Sequence, residues 1–293
     1  MADIDSRSVI SSHWYDHLPR AVYAHLERVD VSSNWFQIFR LDHDVFAIYE
    51  PHQWQEVISY LILGRNKALL FDTGNGIDRI SDVVSELTSL PVVLLNSHTH
   101  FDHMGGNAEF DNILAMDTDF TRKNMAGYAN ELVGEEVSAD ALCAPLPVGI
   151  DPAAHHIPPF SASKFISDGH KIDLGGRVLE VLGTPGHAPD AIALLDSEPG
   201  LLWTGDNYYE GAIWLFFPET DLNAFSRSVE SICDLVPHLK MLHPSHNSPV
   251  ARPDSLYALK ESLSAVQKGS VSGKALSGGR IKYVFERFSL IMR

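Results

Sequence analysis

Residues 97–106 read SHTHFDHMGG and contain four residues of metal-ligand type, His98, His100, Asp102 and His103. Neutral imidazole and carboxylate are the nitrogen and oxygen ligands that zinc and similar cations accept. The apolar run PVVLLN at 91–96 comes directly before them and predicts a buried strand. In an extended loop after that strand, His98 and His100 point the same way because side chains repeat every two residues. Asp102 and His103 can then turn towards a second position, so this stretch predicts ligands for two neighbouring metals.

Three further ligand-type residues follow short apolar strands elsewhere in the sequence. His187 ends TPGH after RVLEVLG, Asp206 ends TGD after LLW, and His246 ends HPSH after LKML. Loops at strand ends often carry functional residues. Each residue taken alone is more typical of a turn or a cap. Their combination with the histidine-rich stretch favours a metal site.

These motifs resemble, in order, the ligand motifs of the metallo-β-lactamase superfamily. DTG at 72–74 and DLGG at 173–176 resemble further landmarks of that fold. The resemblance implies one metal held by His98, His100 and His187, a second held by Asp102, His103 and His246, and Asp206 as the bridge between them. The implied cofactor is two divalent metal ions, with Zn2+ expected and Fe, Mn or Co as alternatives.

The implied fold class is α/β, a four-layer αββα sandwich of two mixed β-sheets flanked by helices. Hydrophobic periodicity predicts short helices in 6–28 interrupted near Pro19, strands and hairpins from 35 to 74, and a helix at 76–89. The later predictions are a strand at 113–116, a helix at 117–125 with an Asp cap, hairpins at 170–183 and 190–206, helices at 221–236 and 253–268, a strand at 240–244 and one last strand in the tail. No linker is evident, so we expect a single domain over 1–293.

Two segments lie outside the resemblance, an N-terminal extension at 1–34 and an insertion at 126–165 near the active site. The insertion mixes Gly, Pro, Ala and Ser, and a long irregular insertion usually covers a site or is mobile. Its larger side chains either roof the pocket or contact a second copy in a homodimer: Tyr128, Leu146, Ile157 and Phe160.

Composition and charge narrow the class of protein. The 293 residues are 45% hydrophobic and carry a formal net charge of −16. A protein that tracks phosphates needs a basic face, so the charge disfavours a nucleic-acid partner and favours a small-molecule substrate. No leader peptide and no apolar run of about 18 residues is evident, so we expect a cytoplasmic protein with no membrane contact. Cys143 and Cys233 are too few for a disulfide framework and are interpreted as packing residues.

The resemblance implies a binuclear-metal-dependent hydrolase, of EC class 3, that uses a metal-bound hydroxide on a carboxylic ester. Two cations ~3.5–4 Å apart can share that hydroxide and lower the pKa of the water it came from. Asp102 is the first catalytic candidate, because it can hold the nucleophile or pass its proton towards the leaving group.

A lactone is the predicted substrate. SHTHFDHMGG closely resembles the N-acyl-homoserine lactonases, including the Phe before the Asp. In that family a tyrosine three residues after the bridging aspartate helps to orient the lactone carbonyl, and Tyr209 occupies that place, which makes it the second catalytic candidate. The candidate substrate-binding residues are Phe101, Met104, Tyr208 and Tyr209.

Other members of the superfamily are the alternatives. Glyoxalase II-like thioester hydrolases share the HxHxDHxGG pattern, but they carry a helical basic extension, whereas 47 residues follow His246 here and end in a strand-like segment. A lactam is disfavoured because true β-lactamases generally lack the aspartate of TGD. A mononuclear iron sulfur dioxygenase is a more distant alternative, because it needs one metal and the second set of ligands is complete here. A phosphodiesterase is also more distant, because the net charge is acidic. A non-catalytic metal-binding module is hard to reconcile with intact ligand positions.

Overall fold

A computed structural model describes residues 14–293. The chain divides into two compact units: the first runs to Ile166 and includes Leu174–Arg177, and the second comprises Ser167–Asp173 and Val178–Arg293. Both units contain β-sheet and helices, which is the predicted α/β class. The interpretation of the chain as one domain stays a prediction.

An eight-stranded mixed sheet forms the centre of the first unit, and its strands lie in sequence order. They are β1 (Glu27–Val29), β2 (Gln37–Leu41), β3 (Val45–Tyr49), β4 (Ile58–Leu63), β5 (Ala68–Phe71), β6 (Val92–Leu95), β7 (Ile113–Met116) and β8 (Lys164–Ile166). Strands β1 to β5 pair antiparallel, and β5 to β8 pair parallel. Every residue of β5 is buried, as expected for a strand covered on both faces. The predicted hairpin at 64–67 joins β4 to β5.

Among residues 14–166, the first unit has four α-helices: α1 (Ile80–Leu87), α2 (Phe101–Met104), α3 (Asp119–Asn124) and α4 (Asn130–Val133). Helix α1 buries its apolar side against the core of the unit, which confirms the helical spacing in the sequence. The predicted Asp cap of α3 is wrong, because the Thr118 hydroxyl accepts from the Thr121 N–H. Asp117 pairs instead with Arg122 one turn along.

The described part of the N-terminal extension forms two 3-10 turns, Trp14–His17 and Ala21–His25, on either side of Pro19, followed by strand β1. This agrees with the interrupted short helices predicted over 6–28, except that Glu27 and Arg28 belong to strand β1. Residues 6–13 of that prediction lie outside the described residues. Between the turns, the Arg20 guanidinium donates to both oxygens of Glu56, at 2.8 and 2.6 Å. Glu56 is 1% exposed and also accepts from the Tyr49 hydroxyl. The extension is therefore fixed to the first unit through a buried carboxylate.

Arg20→Met is expected to lower the free energy of unfolding by roughly 3 kcal/mol, because Glu56 would keep a buried charge and, of its two basic partners, retain only the His17 ring, 3.4 Å from its Oε1. Urea unfolding monitored by circular dichroism measures the change. Arg79→Met is the matched control, since the Arg79–Asp82 pair is about two-thirds exposed on both sides and such pairs contribute little. Equal stabilities of the two variants would contradict the anchoring role of Arg20.

Two sheets form the second unit. The first has the order β14-β12-β11-β10-β9 and the second β13-β17-β16-β15. The strands are β9 (Lys171–Asp173), β10 (Val178–Gly183), β11 (Ile192–Asp196), β12 (Leu201–Gly205), β13 (Ala212–Leu215), β14 (Met241–Pro244), β15 (Lys274–Ala275), β16 (Ile281–Val284) and β17 (Ser289–Met292). Both predicted hairpins are confirmed, and Gly175 and Gly176 take the positive φ that the first turn requires. The tail forms the antiparallel pair β16–β17 instead of the one strand predicted, because the turn at 285–288 reverses the chain.

Helices α5 (Leu222–Cys233) and α6 (Ser255–Gln267) complete the second unit. The side chain of Asp221 caps α5 by accepting from two backbone N–H groups. Cys233 packs in the core of this unit, as predicted, whereas Cys143 is exposed, so its interpretation as a packing residue is wrong. Among residues 14–293, no helix has the length and apolar character needed to cross a bilayer.

Candidate metal centre

The first unit places its four predicted ligands at the carboxyl end of β6 and in α2. The strand ends at Leu95, the chain bends at Ser97 and His98 before an extended His100, and the short helix α2 carries Asp102 and His103. All four side chains are buried: His98, His100, Asp102 and His103. His98 Nε2 lies 3.0 Å from His100 Nδ1, and His103 Nε2 lies 3.5 Å from Asp102 Oδ2. The change from strand to helix within six residues is what brings alternate and consecutive side chains to one place.

His103 is oriented by a buried carboxylate that follows β5. Its Nδ1 lies 2.9 Å from Asp72 Oδ2, and both side chains are fully buried. The other oxygen of Asp72 accepts from the Ser97 N–H at 2.6 Å. A carboxylate on one ring nitrogen holds the proton there and leaves the other nitrogen as a lone-pair donor. His103 is thus prepared to bind a cation through Nε2.

The loop at 72–76 (DTGNG) packs directly on α2 through glycine. The Gly105 N–H donates to the Gly74 carbonyl at 2.8 Å, and the Thr73 N–H donates to the His103 carbonyl at 2.9 Å. A Cβ on Gly105 would lie 2.2 Å from the backbone nitrogen of Gly76. The first glycine of the GG pair is therefore a packing requirement of the site.

The second unit places its three predicted ligands after β10, β12 and β14. His187 Nε2 lies 3.6 Å from Asp206 Oδ2, and His246 Nε2 lies 3.1 Å from Asp206 Oδ1. All three side chains are buried. His187 Nδ1 faces the Trp214 carbonyl at 2.8 Å, which fixes the proton on that nitrogen and directs Nε2 to Asp206. Parallel pairing of β12 with β14 brings Asp206 and His246 together at one strand edge.

Tyr209, the second catalytic candidate, lies beside this set. Its ring centroid is 4.8 Å from that of His246, and its hydroxyl donates to the Ala212 carbonyl. Tyr208 is fully buried in the core of the second unit, with its ring next to Phe288. The substrate roles of both tyrosines stay predictions.

The other substrate candidates and the insertion lie in the first unit. Met104 is fully buried in the core, and the ring of Phe101 contacts Tyr128, whose hydroxyl donates to the Thr99 carbonyl. The core position of Met104 favours a packing role, and substrate contact by Phe101 or Met104 stays a prediction. Ile157 and Phe160 also belong to this core, so neither is available as a roof or as a dimer contact.

Two buried carboxyl groups, Glu50 and Glu136, lie close enough to Asp102 for its charge to affect them. Burial raises the pKa of Glu50 to about 7, although its oxygens accept from the Trp35 indole and from the Asn75 N–H. Burial likewise raises the pKa of Glu136 to about 7, against the hydrogen bond from Trp54. The nearby charge of Asp102 raises both pKa values further. The region is acidic and buried, which suits a cation.

The donor chemistry fits divalent metal ions. Every candidate ligand is an imidazole or a carboxylate, all are buried, and two imidazoles are oriented through their far nitrogens by Asp72 and by the Trp214 carbonyl. Buried ligand clusters with such orienting partners are typical of built metal sites.

The model of the metallo-beta-lactamase superfamily matches residues 54–270, more than half of the sequence, including every predicted ligand. The chain belongs to this superfamily. Members of this superfamily typically bind divalent metals. Membership of the superfamily, together with the two sets of His and Asp ligands, identifies this chain as a metal-binding hydrolase.

Curated relatives of the chain include thioester hydrolases. The acyl-coenzyme A thioesterase MBLAC2 of Gallus gallus is 26% identical over 219 residues, which are 69% of this chain and 76% of that protein. The hydroxyacylglutathione hydrolase GloC of Haemophilus influenzae is 24% identical over 180 residues, 61% of this chain and 79% of that protein.

Solved structures show the fold. The chain matches the MIM-2 metallo-beta-lactamase with a TM-score of 0.55 at 21% identity, covering 79% of this chain and 89% of that one. It matches an archaeal superfamily protein of Sulfolobus tokodaii with a TM-score of 0.53 at 18% identity, covering 76% and 86%. These likenesses confirm the predicted metallo-β-lactamase fold.

The sequence motifs assign no functional role to three residues that contact the ligands directly or through hydrogen bonds. Asp72 is recognised only as part of the DTG landmark, and Gln55 and Glu136 stand in no motif. Gln55 donates from Nε2 to Asp102 Oδ2 at 2.9 Å. A carboxylate directly after a buried strand is a detectable signal for Asp72, whereas no local pattern marks the other two.

Proposed function

We propose that this chain is a metal-dependent hydrolase of acyl thioesters. The observation that carries the substrate class is the likeness to an acyl-coenzyme A thioesterase and to a hydroxyacylglutathione hydrolase, each aligned over more than three-quarters of its own length. Both names describe substrates in which the acyl group is bound to the sulfur of a thiol. A thioester is the alternative substrate that the sequence analysis names after the lactone. Support for a thioester is therefore better than for the lactone.

The ligand assignment proposed is the one that the family pattern implies. His98, His100 and His187 would hold one ion, Asp102, His103 and His246 would hold the second, and Asp206 would contribute to both. Two divalent ions, with zinc expected, would supply an activated water and polarise the carbonyl under attack. A small-molecule substrate suits this chemistry, and the homodimer stays a prediction.

The chain's own residues prepare this chemistry. Asp72 and the Trp214 carbonyl hold protons on the Nδ1 atoms of His103 and His187, so that both Nε2 atoms carry lone pairs. Asp102 holds the attacking water or passes its proton towards the leaving group. A thiolate leaving group needs less help from an acid than an alkoxide does, because a thiol has a pKa of about 8.5.

The test is a parallel screen of the purified full chain. Acyl-coenzyme A and acylglutathione thioesters are followed by thiol release, and the matching oxygen esters and acyl-homoserine lactones by proton release. Elemental analysis of the same sample gives the metals per chain. We expect thioester turnover that a chelator abolishes and zinc restores. Faster lactone than thioester turnover would return the substrate class to the lactone.

Tyr209→Phe is expected to change kcat for a thioester by less than about threefold, because the hydroxyl already donates to the Ala212 carbonyl and thiolate departure gains little from a donor. Steady-state kinetics on thioester and lactone substrates measures the effect. Tyr257→Phe, an exposed position on α6, is the control. A fall of about 100-fold with metal retained would restore the catalytic role predicted from the lactonase resemblance.

A further inference from the structure

The loop at 50–57 (EPHQWQEV), which joins β3 to β4, supplies a hydrogen bond to a candidate metal ligand. Gln55 donates from Nε2 to Asp102 Oδ2 at 2.9 Å. Asp102 Oδ2 also lies 3.5 Å from His103 Nε2. An amide donor on one oxygen fixes the plane of a carboxylate without placing a positive charge beside a cation.

The orientation of the Gln55 amide is set by Gln53. Gln53 Nε2 donates to Gln55 Oε1 at 3.3 Å, and the Gln55 backbone N–H donates to Gln53 Oε1 at 2.8 Å. Gln55 Oε1 is thereby assigned as an acceptor, so its Nε2 is the atom that faces Asp102. Gln53 is fully buried, which makes its own partners decisive.

Those partners come from the insertion. Gln53 Nε2 donates to Glu136 Oε2 at 3.0 Å, and Trp54 Nε1 donates to the same oxygen at 2.7 Å. The backbone N–H of Trp54 also donates to the Ala141 carbonyl. Glu136 is 4% exposed and lies in the 3-10 turn after α4. The chain of hydrogen bonds therefore runs from Glu136 through Gln53 and Gln55 to Asp102.

The same loop is held from its other end. Glu56, next to Gln55, has a φ of 48° and carries the bidentate contact with Arg20 of the N-terminal extension. A non-glycine residue at positive φ is strained unless its surroundings hold it there. The two segments outside the family's motifs thus converge on one loop.

We infer that Gln55 is a positioning residue for the Asp102 carboxylate, and that the insertion acts on the metal centre through Glu136. This inference rests on the proposed role of Asp102 as a metal ligand. The 126–165 insertion would then support the metal centre by fixing the orientation of Gln53 and Gln55. The arrangement requires that Glu136 accept a hydrogen bond from Gln53 and that Gln55 donate one to Asp102.

Two substitutions at position 55 test the donor. Gln55→Met removes both polar atoms at similar volume, and Gln55→Glu keeps the acceptor for Gln53 but replaces the donor with an oxygen. We expect each to weaken the affinity for the more loosely held zinc about tenfold and to alter the absorption spectrum of the Co2+-loaded protein. Zinc affinity is measured by competition with a chromophoric chelator. Gln267→Met, at an exposed glutamine on α6, is the control.

Two substitutions at position 136 test the supporting role of Glu136. Glu136→Gln keeps a carbonyl oxygen for Gln53 and Trp54, so zinc affinity should stay within about threefold of wild type. Glu136→Met removes the acceptor and should weaken zinc binding about as much as the position-55 variants. Glu135→Met is the matched control, because this neighbouring carboxylate is not buried. Rescue by glutamine is a result that general loss of packing would not produce.

The outcomes separate the two proposals. Wild-type zinc affinity and an unchanged Co2+ spectrum in the Gln55 variants overturn the positioning role, whatever the substrate. If Gln55→Met unfolds, Gln55→Glu, which has almost the same shape, decides the matter. A wild-type chain that binds zinc but cleaves no thioester overturns the proposed substrate alone. A wild-type chain that binds no divalent ion overturns both.

Discussion

Asp72→Asn is expected to lower kcat/KM for thioester hydrolysis by about 10- to 100-fold, together with the zinc content of the purified protein. Asparagine keeps the acceptor for the Ser97 N–H and tolerates the φ of 67° at this position. It replaces the oxygen that faces His103 Nδ1 with an N–H donor, which favours the tautomer that carries its proton on Nε2. That proton occupies the lone pair proposed to bind the metal.

Elemental analysis and thiol-release kinetics measure both effects, and the thermal midpoint shows whether the fold is retained. Asp82→Asn, at an exposed position on α1, makes the same chemical change away from the site. Because the introduced amide would still accept from the Ser97 N–H, loss of the metal without loss of secondary structure is the expected pattern. An Asp72→Asn protein with wild-type zinc content and kcat/KM would show that Asp72 does not orient His103.

Gly105→Ala is expected to destabilise the protein by about 3 kcal/mol and to reduce metal binding at the same time. Gly105 has a φ of −59° and a ψ of −36°, which alanine adopts freely, so the cost is steric alone. The added Cβ would lie 2.2 Å from the nitrogen of Gly76 and 2.3 Å from the carbonyl carbon of Asn75. Backbone atoms cannot rotate away, so α2 must separate from the loop at 72–76.

Urea unfolding gives the stability, and chelator competition gives the zinc affinity. Gly134→Ala is the matched control, because Gly134 also ends a short helix with a φ of −63° and a ψ of −28°. Its Cβ would meet the amide end of the Asn130 side chain, which can move. Similar losses in both variants would mean that the contact between α2 and the loop at 72–76 carries no special constraint.

Local pattern was sufficient for most of the secondary structure. The strand β6 and the helix α1 have the buried positions that their apolar spacing predicts, and the Gly175-Gly176 turn has the positive φ that glycine allows. The prediction was wrong where two local choices competed, since Thr118 rather than Asp117 caps α3. In the tail, a single strand was predicted where the turn at 285–288 divides two.

The candidate ligands were also evident from the sequence, because each stands directly after an apolar strand. His98 and His100 stand two positions apart in the short connection after β6, and Asp102 and His103 follow in a helix, so their proximity is a consequence of local geometry. Their membership of the superfamily's motifs then gave the metal chemistry. The substrate class was not evident, and the relatives moved the proposal from the lactone to the thioester alternative.

The sequence by itself determined most of the strands and helices and the residue types that can bind metal, because these depend on neighbours within a few positions. Only the tertiary structure decided which groups orient those ligands. Asp72 reaches His103 across 31 positions, Gln55 reaches Asp102 across 47, and Glu136 reaches Gln53 across 83. Each pairing depends on sheet order and loop path, and a single hydrogen bond between distant residues leaves no periodic trace in the chain.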